Sequence, residues 1–368
     1  MQKPFILVTG ATGKTGSAIV HELIARAVPV RAIVRRMDTR SADLARKGAE
    51  VVVADMFDPD QLADALQGIQ RAYYLPFFYT HMIQSAVAFA VAARHARLES
   101  IVHMSQWLSH RAHPAIVTRQ IWLIDNLFAD LPGIACTTLN PGLFADNFLR
   151  VMDLAALLGL FPILTGDGRA APVSNEDMAR VAVAALLAPE RHAGMSYRPT
   201  GPALLSGHDM AKVIEKVVGH GVAPLNVPFW LFRKMARQQG INPLEISGFR
   251  FYVEEMRRGT FELDGGVTSV VEQLTGRPAE SFETIARRYS AMPFARQTLS
   301  NRVRAFVNLN LTPLYRGYNL DRWDRQKGFP VPANPSLSID DDQWRGEHHQ
   351  LMTERPLSTP MEPMTEHA

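Results

Sequence analysis

Cysteine is almost missing from this chain: Cys136 is the one thiol in 368 residues. An internal disulfide framework is therefore excluded, and a reducing compartment suits the composition. Long apolar runs are missing too. The longest, 154–164 and 181–189, fall far short of the roughly 20 residues that a bilayer span needs. An excess of charge of one sign is missing as well. The formal net charge is +3, spread along the chain, so no cationic arm for nucleic acid is expected. No His, Cys and carboxylate set stands at zinc spacing, and His348-His349 is isolated, so no metal site is expected. A secretory leader is not expected either, because a glycine turn occupies the place where cleavage would fall. These absences together give a cytoplasmic expectation. The apolar share, 47%, is enough for one large domain or two.

What is present is concentrated in Val8-Thr9-Gly10-Ala11-Thr12-Gly13-Lys14-Thr15-Gly16. An apolar run at 5–8 leads in and a helical pattern at 17–27 leads out. Strand, glycine turn and helix in that order aim backbone N–H groups at a pyrophosphate. Gly10 allows the tight turn, Gly13 lets backbone approach phosphate, and Gly16 lets helix and strand pack closely. Thr12 and Thr15 belong to the same cradle. Lys14 adds charge there or points to solvent. The alternative is an ordinary glycine-rich turn without a ligand.

Short apolar strands then alternate with helices as far as residue 139. The expected strands are 28–34, 50–54, 71–75, 100–104 and 134–139. The valine run of the third reads as a parallel strand buried on both faces. This alternation predicts a doubly wound parallel α/β sheet, the Rossmann architecture. The domains expected are a dinucleotide-binding core at about 1–145, a small substrate lobe at about 146–290, and an irregular extension at 291–368. Helices are expected at 144–159, 175–187, 206–218, 228–239, 248–258 and 281–289. The stretch at 228–239 mixes Phe229, Trp230, Leu231 and Phe232 with basic residues. It reads first as a helix packed on the core, and second as a membrane-surface helix. In the extension, Tyr315, Tyr318, Trp323 and Trp344 predict docking, on the protein's own body or on a partner subunit. A homo-oligomer through 291–368 follows from the second option. The last 25 or so residues read as disordered or as a wrapping tail.

Cofactor choice rests on the residues just past the second strand. An NAD site places an acid there; this chain has Arg35 and Arg36, which suit a 2′-phosphate. NADP(H) is therefore favoured over NAD(H), with Asp38 leaving room for NAD. Arg40 lies further along, and Arg35 is the better candidate. Asp55 is placed for the adenine edge and Met56 for its ring. Leu75 and Pro76 end the fourth strand at the ligand crevice. Pro141 and Phe144 come after the sixth strand at the same edge, with Phe144 lining the nicotinamide or substrate pocket or simply packing.

These pieces resemble the NmrA-like family of atypical short-chain dehydrogenases/reductases. The likeness runs through the glycine turn, the Arg35 strand end, Ala54-Asp55 and Val102-His103-Met104-Ser105. It continues in Thr118-Arg119-Gln120-Ile121-Trp122-Leu123-Ile124-Asp125, in the segment from Thr137 to Asn147, and in that from Tyr197 to Ser206. It covers about residues 4–290; the tail has no counterpart. The resemblance implies a Rossmann fold binding NADP(H), with a small lobe over the nicotinamide end. Members include quinone reductases and also proteins that bind the dinucleotide without turning it over.

The usual Tyr-x-x-x-Lys proton relay is absent, since no tyrosine has lysine four residues on. Ser105 remains as a candidate to hydrogen-bond a substrate oxygen. His110 is a candidate general acid, although His110 and His113 read more simply as exposed loop histidines. Cys136 reads as a small buried hydrophobe. The first functional expectation is an NADPH-dependent reductase of a quinone or another small conjugated carbonyl. The alternative is a non-catalytic NADP(H) sensor acting through a protein partner.

Overall fold

The computed structural model describes residues 3–352. The first half alternates strand and helix: β1 Ile6–Val8, α1 Lys14–Ala25, β2 Val30–Val34, α2 Thr39–Arg46, β3 Glu50–Val53 and α3 Pro59–Ala65. Next are β4 Arg71–Tyr74, α4 Met82–His95, β5 Ser100–Met104, α5 Ile116–Ala129 and β6 Ala135–Leu139. The middle group is α6 Ala145–Leu149, α7 Met152–Leu158, β7 Leu160–Ile163, β8 Arg169–Ala170, α8 Asn175–Leu187, α9 Pro189–His192 and β9 Ser196–Tyr197. Then come β10 Leu205–Ser206, α10 Gly207–Val218, β11 Ala223–Asn226, α11 Phe229–Gln238, α12 Pro243–Arg257, α13 Val270–Thr275 and α14 Phe282–Ser290. The extension carries α15 Leu299–Leu311, α16 Leu320–Lys327 and α17 Asp342–Met352.

Seven parallel strands form the main sheet in the order β3-β2-β1-β4-β5-β6-β9. The order reverses direction at β1, so a crevice opens past its carboxyl end, where ligands of such sheets bind. One face of the sheet is covered by α1 and α8, around Ile19, Leu23, Val181 and Leu186. The other is covered by α3, α4 and α5, around Leu62, Phe89, Ile121 and Phe128. Burial on both faces explains the unbroken apolar text of β1, Ile6-Leu7-Val8.

Several expectations need correction. The valine run of β3 is an edge strand rather than a fully covered one, and Val53 is 51% exposed. Its open side becomes a pocket wall. The expected helix at 144–159 breaks at Arg150-Val151 into α6 and α7. β9 and α8 lie in the stretch read as lobe, yet both return to the main sheet. The lobe proper packs α6, α7, α10 and α14 around Leu149, Phe161, Met210 and Phe282. The extension contains helices joined by irregular segments, and it docks on the protein's own body. Trp344 is buried against Trp107, and Trp323 packs on the α4–α5 side of the core. Residues 353–368 of the expected tail lie outside the described residues.

Candidate dinucleotide and acceptor site

The glycine turn is built as its spacing demands. Gly10 has φ +62°, a left-handed conformation that suits glycine. A Cβ on Gly16 would stand 2.2 Å from the Gly10 carbonyl oxygen, so helix and turn can meet only there without a side chain. Gly13 is the N-cap of α1 and no side chain caps it. The first turn of a 12-residue helix thus keeps its positive end available to an anion. Leu75 closes the other side of Gly10, and its N–H donates to Thr9 Oγ1 at 2.8 Å.

Beside this turn lies a groove of about 510 Å³, between the carboxyl ends of β1, β2 and β3. Of the residues that the sequence offers for a cofactor, it brings together Gly10, Thr12, Arg35, Arg36, Asp55 and Met56. Arg40, which the sequence ranks behind Arg35, also lines it, as do Phe77 and Tyr79. Distance along the sequence misleads for Arg40. It lies in the first turn of α2, and that turn folds back until Arg40 Nη1 is 3.4 Å from the Thr12 carbonyl. Asp38 caps the same helix and holds Arg40 at 2.6 Å. The bond to Arg40, together with backbone N–H donors, pulls the Asp38 carboxyl down to about 2. Asp55 accepts the Phe57 N–H at 3.0 Å, and Met56 is buried. The groove has the parts that a dinucleotide cradle needs: a Gly16 position that no Cβ could enter, a strand-edge wall, and exposed Arg35 and Arg36.

Lys14 leaves the turn. Its Nζ lies 2.7 Å from Asp146 Oδ2 and 3.5 Å from the Tyr289 hydroxyl. Thr15 Oγ1 donates to Asn175 Oδ1 at 2.7 Å, and Asn175 Nδ2 donates to Asp146 Oδ1 at 3.1 Å. These polar side chains tie the turn to α6, α8 and α14.

At the ends of β5 and β6 the residues are close-packed. Ser105 is 3% exposed, and its hydroxyl donates to Asp125 Oδ2 at 2.6 Å. Ser109 donates to the same oxygen at 2.6 Å, while His103 Nε2 faces Asp125 Oδ1 at 3.1 Å. With its proton turned to Asp125, Ser105 presents a lone pair. It can accept a bond from an N–H or O–H, rather than give one to a substrate carbonyl. Pro141 is buried and Phe144 half-buried, the latter packed on the α1–α8 core. Pro76 is buried beside Leu75.

His110 and His113 are not exposed loop residues. His110 Nε2 faces Asp341 at 2.9 Å, and His113 Nε2 lies 3.4 Å from Glu255, with both rings buried. The cause is the extension, which covers the loop after β5. Ser338 donates its N–H to Glu255 and its hydroxyl to the Leu108 carbonyl. Arg119 is spent on the carbonyls of His113, Pro114 and Pro330. Burial lowers the His113 pKa, and Glu255 opposes that shift. Cys136 lies half-buried in β6, its thiol pushed up to about 12 by burial.

A second cavity, about 100 Å³, opens between α6, β7, α11 and α12. Leu143, Phe148, Phe161, Phe249 and Tyr252 make it apolar, and Asn147 and Arg150 give it a polar side. Leu143 lies just past β6, so this cavity adjoins the same carboxyl edge as the groove.

Fold and site together define a dinucleotide-binding protein of the Rossmann type. The chain belongs to the NmrA-like family, which it matches over residues 2–282. It is 27% identical over 287 residues to NAD(P)H azoreductase of Xenophilus azovorans, covering 78% of this chain and 98% of that one. With quinone oxidoreductase 2 of Escherichia coli it shares 26% identity, over 60% of this chain and 77% of that protein. Solved folds agree. Triphenylmethane reductase of Citrobacter sp., complexed with NADP(H), superposes with TM-score 0.66 at 21% identity, covering 77% and 99% of the two chains. The transcriptional regulator Nmra superposes with TM-score 0.62 at 18% identity, covering 78% and 95%. Residues beyond 282 fall outside the family match.

Proposed function

We propose that the protein is an NADPH-dependent reductase of a small, conjugated, apolar acceptor of the quinone type. The observation that carries this is the arginine-lined groove at the glycine turn, with an apolar cavity at the same sheet edge. Arg35 and Arg36 would hold a 2′-phosphate. Asp38, the acid that could instead have met a ribose hydroxyl, is engaged by Arg40 and by its own helix. Gly10, Gly13 and the open N-terminus of α1 would receive the pyrophosphate. The cofactor, when bound, supplies the hydride.

The protein's own residues position the reactants and keep out water. Ser105, oriented by Asp125, offers a lone pair to an N–H at the nicotinamide end. The cavity walls suit a flat apolar acceptor, which Asn147 can orient. A missing proton relay fits this substrate class. Hydride addition to a quinone leaves a phenolate-like oxygen with a pKa of about 10. Bulk water can protonate it once the product leaves the site, whereas the alkoxide from a simple ketone demands a placed acid. Relatives named for azo and quinone reduction support the same class.

A second reading is a dinucleotide sensor. The sealed loop after β5 favours it, because both of that loop's histidines are buried and neither is open to act as a general acid. NADPH and NADH binding measured by calorimetry, together with NADPH oxidation against quinones, azo dyes and aldehydes, decides between them. The reductase reading expects tight NADPH and turnover with quinones or azo dyes. Tight NADPH binding with no acceptor consumed would sink it in favour of the sensor.

A further inference from the structure

One face of the protein is apolar and cationic, and the two segments that build it contain no Asp or Glu. On α15, Leu299, Val303, Phe306 and Val307 are exposed, at 80%, 53%, 59% and 44%. Their spacing of i, i+4, i+7 and i+8 puts them in one stripe. The opposite side, with Ala305, is buried against the body. At about 100° per residue, Arg302 and Arg304 fall on either side of the stripe; both are exposed. The short turn Thr312–Leu314 extends it with Leu314, 79% exposed, and Tyr315 comes next. Beside that turn runs α11, whose Lys234 donates to the Pro313 carbonyl and whose Arg237 reaches Gly317 at 3.4 Å. Trp230, half exposed, shares a helix side with Lys234 and Arg237 at i, i+4 and i+7.

The charge pattern is one-sided over both segments. Between Glu215 and Glu245 the chain has no Asp or Glu, and between Glu283 and Asp321 it again has none. The second stretch holds Arg287, Arg288, Arg296, Arg302, Arg304 and Arg316. Asp153, beneath α15, is the acid that the charge of Arg304 reaches. An apolar stripe flanked by long cationic side chains, with a tryptophan at its margin, is the pattern of a helix that lies in a lipid interface. No helix of the described residues is long and apolar enough to cross a membrane.

We propose that α15, the Thr312–Leu314 turn and α11 form a face that seats on an anionic lipid surface. The stripe enters the acyl boundary and the arginines and lysine meet the headgroups. A second copy of this chain fits the same face poorly. A two-fold pairing would set arginines against arginines, with no acid in either stretch to receive them. The other side of α11 lines the apolar cavity through Phe232, Met235 and Ala236. Seating would therefore bring that cavity to where apolar molecules concentrate. The docking itself does not rest on the reductase reading.

Co-sedimentation of the full chain with phosphatidylcholine vesicles, with and without phosphatidylglycerol, tests the proposal. Binding is expected only with phosphatidylglycerol, and it should fade as salt rises. Phe306→Ser with Leu314→Ser should lower partitioning roughly tenfold or more. Arg302→Gln with Arg304→Gln should lower it roughly tenfold. Phe306 and Leu314 are exposed, so their variant should keep the melting temperature and NADPH affinity of the unaltered chain. Arg302 Nε also donates to the Leu157 carbonyl at 3.0 Å, so the arginine pair is compared at matched folded fraction, with NADPH affinity unchanged. Equal binding to both vesicle types would overturn the proposal, and so would no binding by the full chain. A dimer in ultracentrifugation that Phe306→Ser with Leu314→Ser dissociates would overturn it in favour of a second copy.

Discussion

The groove beside the glycine turn and the loop after β5 lie at the same edge of one sheet, yet they are built in opposite ways. The groove is open, walled by an edge strand and lined by Arg35, Arg36 and Arg40. The loop is closed by the extension, its histidines buried and facing carboxylates, Asp341 and Glu255, from segments more than a hundred positions away. Trp107 shows this best. Trp344 lies edge-on to it with ring centroids 5.5 Å apart, His348 lies 4.4 Å away, and the Arg198 guanidinium sits 3.7 Å above the ring. An open, charged groove can admit and release a polar cofactor. A closed loop fixes geometry and gives up access. Binding and rigidity are thus divided between two regions a few strands apart.

The largest test of that division is Trp344→Ala. Trp344 is 1% exposed, and its indole N–H donates to the Trp107 carbonyl at 3.2 Å. Truncation should cost about 3–5 kcal/mol, the usual range for a buried tryptophan. Guanidinium unfolding measures it. A loss below about 1 kcal/mol, the range of surface substitutions, would mean that the extension lies on the loop without holding it. The sealed reading would then fail.

Acid should act on the same contact. Burial between the two indoles, helped by the charges of Arg198 and His110, holds the His348 imidazole down to about 4. An unfolded histidine takes its proton near pH 6.5. Between those values the unfolded chain binds more protons, so stability falls as pH drops. The loss attributable to His348 is roughly 3 kcal/mol over that window. His113 is pushed the same way by burial, so the unaltered chain shows the sum. Unfolding curves of His348→Phe should be visibly flatter between pH 6.5 and 4. Parallel curves for the two proteins would show that His348 is not shielded in solution.

On the groove side, Arg35→Ala should weaken NADPH about tenfold, the share of one exposed charge-assisted contact. NADH should change little. Equal losses for both would place the 2′-phosphate elsewhere, with Arg40 the next candidate because it stands over the same wall. The groove was largely legible in the sequence because its parts are local: Gly10 to Gly16, Arg35 and Asp55 each come directly after a strand. Strand positions were legible for the same reason, since apolar runs and turn residues mark them within a few residues. The sealed loop was not legible. His110 and His113 look like loop residues, and what buries them is Asp341 and Glu255, contributed by segments with no sequence signature that ties them to β5. Arg40 is distant along the sequence, and only the capping turn of α2 brings it back to Thr12.

The smallest effect is expected where the two regions are joined. Lys14 belongs to the glycine turn by sequence, and a cation there reads naturally as a phosphate ligand. Its amine instead lies 2.7 Å from Asp146 Oδ2, with its side chain 57% exposed. An ion pair that open contributes about 0–1 kcal/mol. Lys14→Met should therefore cost less than about 1 kcal/mol of stability, and it should move NADPH affinity by less than about threefold. Asp146→Asn, which leaves Lys14 without its partner, separates the two roles. If Lys14 serves the lobe alone, both variants behave alike in NADPH titrations. If the amine swings to the cofactor, Asp146→Asn tightens NADPH while Lys14→Met weakens it. Opposite signs would move Lys14 from the join back into the cradle.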